Sequence, residues 1–301
     1  MWLRLTLLGM LTFATFSVLA ASSQEQSNRT GEPPPIINAH LHATNERGIT
    51  VDSVLAEMDE HNVQFAVLSG ADNELAYAWQ QKAPSRFRVG ASFPCTDGVY
   101  PRMYPCFADN NGWPDINWLE EQFTSGRMTV MGELLYVYYG MAPTDEQLQP
   151  YFALAEKMAI PVGIHAADGP PPRERPEGCC PNFSAELGNP LLLKPVLEQH
   201  PQLKIWLMHA GEVRFHKEAI ELMQEFPNVY ADMSILNSVM PVALHRRLLK
   251  SFIDAGLEDR LLLGTDNMPL TAIRDRLESF EFLSERQRRK ITYENAARFF
   301  N

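Results

Sequence analysis

From residue 36 onward the chain repeats one pattern: a short apolar run, then a longer stretch with apolar residues at helical spacing. The runs are IINAHLH (36–42), VQFAVLSG (63–70), FRVGASF (87–93), MTVMGELL (128–135), IPVGIH (160–165), KIWLMHAG (204–211), NVYADMS (228–234) and RLLLGTD (260–266). Between them VDSVLAEMDEHN, TDEQLQPYFALAEKMA, FHKEAIELMQEF and PVALHRRLLKSFIDAG read as amphipathic helices, and SERQRRKITYENAARFF closes the chain as another. The runs are apolar throughout instead of alternating, as expected of parallel strands covered on both faces. Eight such units, mostly about 30–40 residues apart, predict an α/β fold, a (β/α)8 TIM barrel over residues 36–301. A doubly wound open sheet fits less well, because the eight units fill the chain with no second compositional zone.

The longest interruptions follow the third and fifth runs, at 94–116 and 166–190, and hold all four cysteines. In a barrel the loops after strands form the active-site face, so these two should roof the pocket. The N-terminus has its own character. Arg4, an apolar stretch from Leu5 to Leu19 and the small residues around Ala20 and Ala21 lay out a signal peptide over residues 1–21. The apolar stretch is short for a membrane span, and no cysteine stands near the cleavage site to carry a lipid. Residues 22–35 are polar and proline-rich and read as a flexible lead-in. Export to the periplasm or beyond would put Cys95, Cys106, Cys179 and Cys180 in an oxidising compartment. Their three possible disulfide pairings are open from sequence alone. No CxxC spacing exists, which argues against a structural zinc site.

Composition narrows the partner class. A formal charge of −11 over 301 residues argues against nucleic-acid binding, which needs a basic surface. A small-molecule substrate is expected, and oligomeric state is unreadable.

The chemistry sits at the ends of the runs. His40 and His42 close the first, His165 the fifth and Asp266 the eighth; Glu133 and His209 lie near the ends of the fourth and sixth. Residues two apart on a strand share a face, and barrel strand ends converge on one mouth. Imidazoles and carboxylates meeting there form the ligand set of zinc or a similar divalent ion with an open position. Such an ion acidifies water and polarises a carbonyl or phosphoryl oxygen. Asp266 is placed to take the water's proton. His61, His200, His216 and His245 fall on helices or their ends and are expected at the surface.

The ordered pieces NAHLH, GELL, VGIHA, WLMHAGE, LLGTDNMP and ITYENAARFF, spread over residues 36–300, resemble the amidohydrolase superfamily of metal-dependent barrel hydrolases, in its amidohydrolase-related branch. The resemblance implies that His40, His42 and Asp266 ligate metal, joined by His165 and, in two-metal members, by His209 and a strand-4 carboxylate. Many two-metal relatives carry a carboxylated lysine on strand 4; here Glu133 stands, similar to the subset that bridges with glutamate. One or two divalent ions, expected as zinc, are compatible with this set. The leading expectation is an exported hydrolase of a small amide, lactone or ester, with Asp266 and His209 as the catalytic pair. The alternative is a mononuclear zinc non-oxidative decarboxylase, in which the equivalent of His209 is the base and a cation clamps the substrate carboxylate. Arg214 and Arg47 are the clamp candidates, and Tyr136, Tyr138, Tyr139, Trp113, Tyr100 and Tyr104 candidate pocket aromatics. A barrel without catalysis, serving as an exported binding protein, is the third reading and would lack a ligand; none is missing.

Overall fold

The computed structural model of the protein describes residues 33–70, 73–95, 107, 112–167, 169 and 180–301. The predicted signal peptide, most of the lead-in, and Cys106 and Cys179 lie outside them, and so does the pairing of the four cysteines. Eight parallel strands follow in chain order: β1 (Ile36–Leu41), β2 (Val63–Gly70), β3 (Phe87–Phe93), β4 (Val130–Leu134), β5 (Val162–His165), β6 (Ile205–Met208), β7 (Val229–Asp232) and β8 (Leu261–Leu262). Each pairs with the next. The chain just past β8 returns to β1: Ala39 N–H donates to the Leu263 carbonyl at 2.8 Å, and Asp266 N–H donates to the His40 carbonyl at 2.9 Å. These bonds bring the sheet to near closure, and the fold is a (β/α)8 TIM barrel.

The helices on the outside are α1 (Val51–Glu60), α2 (Asn73–Lys82), α3 (Ile116–Thr124), α4 (Gln149–Met158), α5 (Lys194–Gln199), α6 (His216–Glu225), α7 (Val242–Asp254) and α8 (Leu270–Glu278). Helix α4 starts five residues after the predicted Thr144, with Pro150 in its first turn, where the missing N–H costs nothing. The closing segment is helical from Glu285 to Phe299, with a π-helical stretch at Lys290–Glu294.

Two apolar layers hold the barrel. The larger packs strands against helices. The smaller joins Ile37, Ala39, Phe65, Val67, Val130, Trp206, Met208 and Leu262 to Phe299 and Phe300 of the chain's end. Phe300 lies edge-on to Trp206 with ring centroids 5.3 Å apart. Its carbonyl accepts from the Arg88 guanidinium. Both Trp206 and Arg88 are the second residues of their strands, so the C-terminal phenylalanines plug the end of the barrel opposite the mouth.

Three histidines expected at the surface are buried instead: His61, His200 and His245. Particular neighbours cover each ring. His61 accepts from the Arg274 guanidinium at 2.9 Å through Nδ1 and lies 2.9 Å from Thr271 Oγ1 through Nε2. His200 Nδ1 is 2.9 Å from Glu156 Oε2. His245 packs edge-on against Phe280, with centroids 5.1 Å apart. Burial, helped by the Arg276 charge, pulls its pKa down to about 3. His216 is half-buried.

The predicted strands 6 and 8 run on to Gly211 and Asp266, but the sheet stops at Met208 and Leu262. At β6 the reason is local, and past β8 the same turn comes at Asp266. His209, Ala210 and Asp266 take left-handed backbone angles, with φ of 68°, 51° and 49°. Non-glycine residues there are strained, and such strain gathers where side chains must be aimed.

Candidate metal centre

His40 is the penultimate residue of β1 and fully buried, and His42 stands one residue past the strand. Their Nε2 atoms are 3.1 Å apart. The pairing register slips between Asn38 and Leu41, so the convergence departs from plain strand alternation. His42 is clamped from three sides. Its N–H donates to Asn267 Oδ1 at 2.8 Å, its carbonyl accepts from Asn267 Nδ2 at 3.1 Å, and its Nδ1 lies 2.8 Å from the Ser69 carbonyl.

Glu133 enters from β4, where its N–H donates to Ser92 Oγ at 2.8 Å. Gly132 before it has a φ of 125°, and a Cβ there would stand 2.6 Å from the Gly163 carbonyl oxygen. Only glycine lets β4 come this close to β5, which is what delivers Glu133 to the mouth. Glu133 Oε1 sits 2.5 Å from His165 Nδ1 and 3.4 Å from His209 Nε2, and Oε2 sits 3.6 Å from His42 Nε2. Asp266 Oδ1 is 3.2 Å from His42 Nε2 and 3.8 Å from His40 Nε2. All six predicted ligands therefore meet in one cluster. It contains three overlapping triads, His40–His42–Glu133, His40–His209–Asp266 and Glu133–His165–His209, each with donor atoms within 4.8 Å of one another.

Does this cluster suit a cation? The Ser69 carbonyl can only accept, so His42 Nδ1 carries the proton and Nε2 presents a lone pair. That lone pair faces His40 Nε2 and two carboxylate oxygens, a set of electron-pair donors that needs protons or a metal cation among them. Imidazole nitrogen with carboxylate oxygen is the donor set of zinc and its divalent neighbours. The titration tendencies agree. Burial pushes the Glu133 carboxyl up, but the His165 imidazole beside it holds it well below the usual carboxylate range. Asp266 is likewise held low against its burial by His40 and His42. Burial pulls the His209 imidazole down, yet its hydrogen bond to Glu133 carries it up to about 10. At His165 burial wins, and the imidazole is lowered despite Glu133. The pocket is built to attract positive charge.

The six are unequally open. The side chains of His40, Glu133, His165 and His209 are 0–8% exposed, whereas His42 is 17% and Asp266 22% exposed. A substrate from solvent meets Asp266 and His42 first.

Two residues beyond the predicted set belong to the cluster. Asp232 ends β7 and Ser234 follows; both are fully buried. Asp232 Oδ2 is 3.3 Å from His40 Nδ1, and Ser234 Oγ is 3.0 Å from the Nδ1 atoms of both His40 and His209. The signal was present in NVYADMS, where an acid ends a strand as His165 ends β5.

Of the candidate substrate residues, Tyr138 reaches the cluster, and Tyr136, Arg214 and Trp113 fall elsewhere. Tyr136 is buried in the main core at 2% exposure. Tyr138, two residues on, brings its hydroxyl to 3.4 Å from His165 Nε2. Arg214 pairs with Glu186 at the surface and lies over the Phe215 ring. The side chain of Arg47, and all of Tyr100 and Tyr104, lie outside the described residues. Trp113 lies tilted against Phe93 and Tyr151, in the outer core.

The sequence model of the amidohydrolase family matches residues 126–301. The chain belongs to the amidohydrolase family. Membership places it among the metal-dependent enzymes of that superfamily, in keeping with the cluster at the barrel mouth. No curated protein is similar enough to the chain to match it. Solved structures share the barrel at low identity. A probable 2-pyrone-4,6-dicarboxylic acid hydrolase from Acinetobacter baumannii with citric acid bound is 16% identical with a TM-score of 0.62, over 88% of this chain and 98% of that one. The 2,6-dihydroxybenzoate decarboxylase from Rhizobium is 18% identical with a TM-score of 0.58, over 89% and 98%. A dihydroxybenzoic acid decarboxylase from Polaromonas, with manganese and the inhibitor 2-nitroresorcinol bound, is 17% identical with a TM-score of 0.59, over 89% and 97%. At these identities the likeness is one of fold. Among the described residues no helix is long and apolar enough to cross a membrane.

Proposed function

We propose that this amidohydrolase is an exported, zinc-dependent hydrolase of a small lactone, ester or amide. The observation that carries the reading is the position of Asp266, the most exposed of the six cluster side chains, beside the His40–His42 pair. His40, His42, Glu133, His165, His209 and Asp266 would hold one ion or two. When bound, the ion supplies a Lewis acid that polarises a carbonyl and acidifies nearby water. Asp266 orients the attacking water and takes its proton on a carboxylate oxygen. His209, held by Glu133 and Ser234, ligates the second ion where two are bound, and where one is bound its Nε2–H polarises the substrate carbonyl. Export rests on the leader pattern of residues 1–21.

A decarboxylase would need a cation to hold the substrate's carboxylate. Arg214 is engaged with Glu186 and Phe215, which weighs toward hydrolysis. The decarboxylases among the fold's relatives keep the other reaction as the competing reading.

The test is a screen of lactones, esters, dipeptides and hydroxybenzoates against purified mature protein in 18O-water. Turnover of a lactone, ester or amide should stop with a chelator, return with zinc and place one 18O in the product. Chelator-resistant turnover, or release of carbon dioxide from a hydroxybenzoate with no hydrolysis, contradicts the proposal.

A further inference from the structure

We propose that Ser234 is a positioning residue that fixes a proton on Nδ1 of two metal-facing histidines at once, His40 and His209, so that Nε2 is the nitrogen each yields to a cation. The inference rests on the metal-centre reading above, and it concerns two side chains that the ligand set itself does not include.

A serine hydroxyl has one proton to give and two lone pairs to receive. The Ser234 proton goes to Asp232 Oδ1, at 2.6 Å, the shortest of its contacts. That leaves only lone pairs for the two imidazole nitrogens at 3.0 Å, His40 Nδ1 and His209 Nδ1. Both must therefore carry N–H at Nδ1. With three partners the hydroxyl is saturated. Asp232 reinforces the choice at His40, with Oδ2 at 3.3 Å from the same Nδ1. Without a metal, His209 Nε2 shares a proton with Glu133 Oε1, 3.4 Å away; with Nδ1–H held by Ser234, that Nε2 proton is the one a cation displaces.

The loop that carries Ser234 is held from behind. Asp232 Oδ1 also accepts from Ser234 N–H at 2.9 Å. Ile235 turns left-handed at a φ of 68°. Asn237 Nδ2 donates to the Gly264 carbonyl at 2.7 Å. The Arg276 guanidinium gathers the carbonyls of Leu236, Ser238 and Met240 at 3.3, 2.9 and 2.7 Å. Gly264 completes the packing, since a Cβ there would meet His40 Cβ at 2.8 Å and Asp232 Cγ at 2.9 Å.

The experiment uses full-length mature protein labelled with 15N-histidine, zinc-loaded and zinc-free, with ring-nitrogen spectra and zinc titrations of wild type and Ser234→Ala. In wild type, His40 and His209 should both show Nδ1–H. Ser234→Ala should weaken zinc binding by about 10- to 100-fold and shift the Nδ1–H signals of His40 and His209. His42, whose Nδ1 faces Ser69 instead, should keep its signal. A wild-type spectrum with Nδ1 bare on either His40 or His209 overturns the inference even if the variant fails to fold. So does a folded variant with unchanged zinc affinity and unmoved signals. A wild type that binds no zinc would defeat the metal-centre reading, and the same spectra would still decide where the protons sit.

Discussion

Asp266→Asn lowers kcat/KM by about 10³-fold on the lactone, ester or amide that the enzyme turns over, measured at saturating zinc. The substitution keeps shape and removes the capacity to accept a proton. It is a clean probe because the local backbone suits it. Asp266 sits at a φ of 49°, a conformation that asparagine tolerates about as well as aspartate. The Asp266 N–H bond to the His40 carbonyl involves only main-chain atoms and survives. The thermal midpoint should therefore stay close to wild type while kcat falls and KM changes little. A loss confined to KM would make Asp266 a binding group instead, and full activity would remove it from the reaction.

The second large effect belongs to the His40–His42 pair. His40→Ala/His42→Ala should take bound zinc from stoichiometric to near zero and activity below detection. The pair supplies two of the three donors in the His40–His42–Glu133 triad, and His40 supplies one in the His40–His209–Asp266 triad. The same change strips Asp232 of its nearest imidazole, at 3.3 Å. Asp232 keeps the Ser234 hydroxyl and N–H but loses an imidazole from a buried site, so some loss of stability accompanies the loss of metal. His42→Ala alone separates the two. His42 touches the main chain through Ser69 and Asn267 and leaves Asp232 and its partners in place. It should bind zinc far more weakly and unfold at nearly the wild-type midpoint.

Much of this was legible in the chain. The eight apolar runs became the eight strands because a parallel strand covered on both faces must be apolar throughout. The ligands were legible because strand ends are fixed points of the barrel: a histidine or acid there has nowhere to go but the mouth. What escaped detection has physical reasons. Left-handed backbone directly past β6 and four residues past β8 aims His209 and Asp266, and no hydrophobic pattern encodes that. Asp232 and Ser234 act on nitrogens, not on a metal, so a search for ligands passes over them. His61, His200 and His245 lie on helices where polarity suggests exposure. Each is buried by particular neighbours, such as Arg274, Glu156 and Phe280, that only the folded chain brings near. Tyr136 and Tyr138 differ by two positions in one short turn, and the turn alone decides that Tyr138 reaches His165.

Six side chains from five strand ends are proposed to hold one or two divalent cations at the barrel mouth. Anomalous diffraction at the zinc edge, from crystals of the active zinc-loaded protein, tests it most directly. The account predicts a peak inside the cluster, bonded at about 2.0–2.2 Å to imidazole nitrogen and carboxylate oxygen drawn from His40, His42, Glu133, His165, His209 and Asp266. A peak bound anywhere else, or crystals of fully active protein with no peak at the barrel mouth, would contradict it.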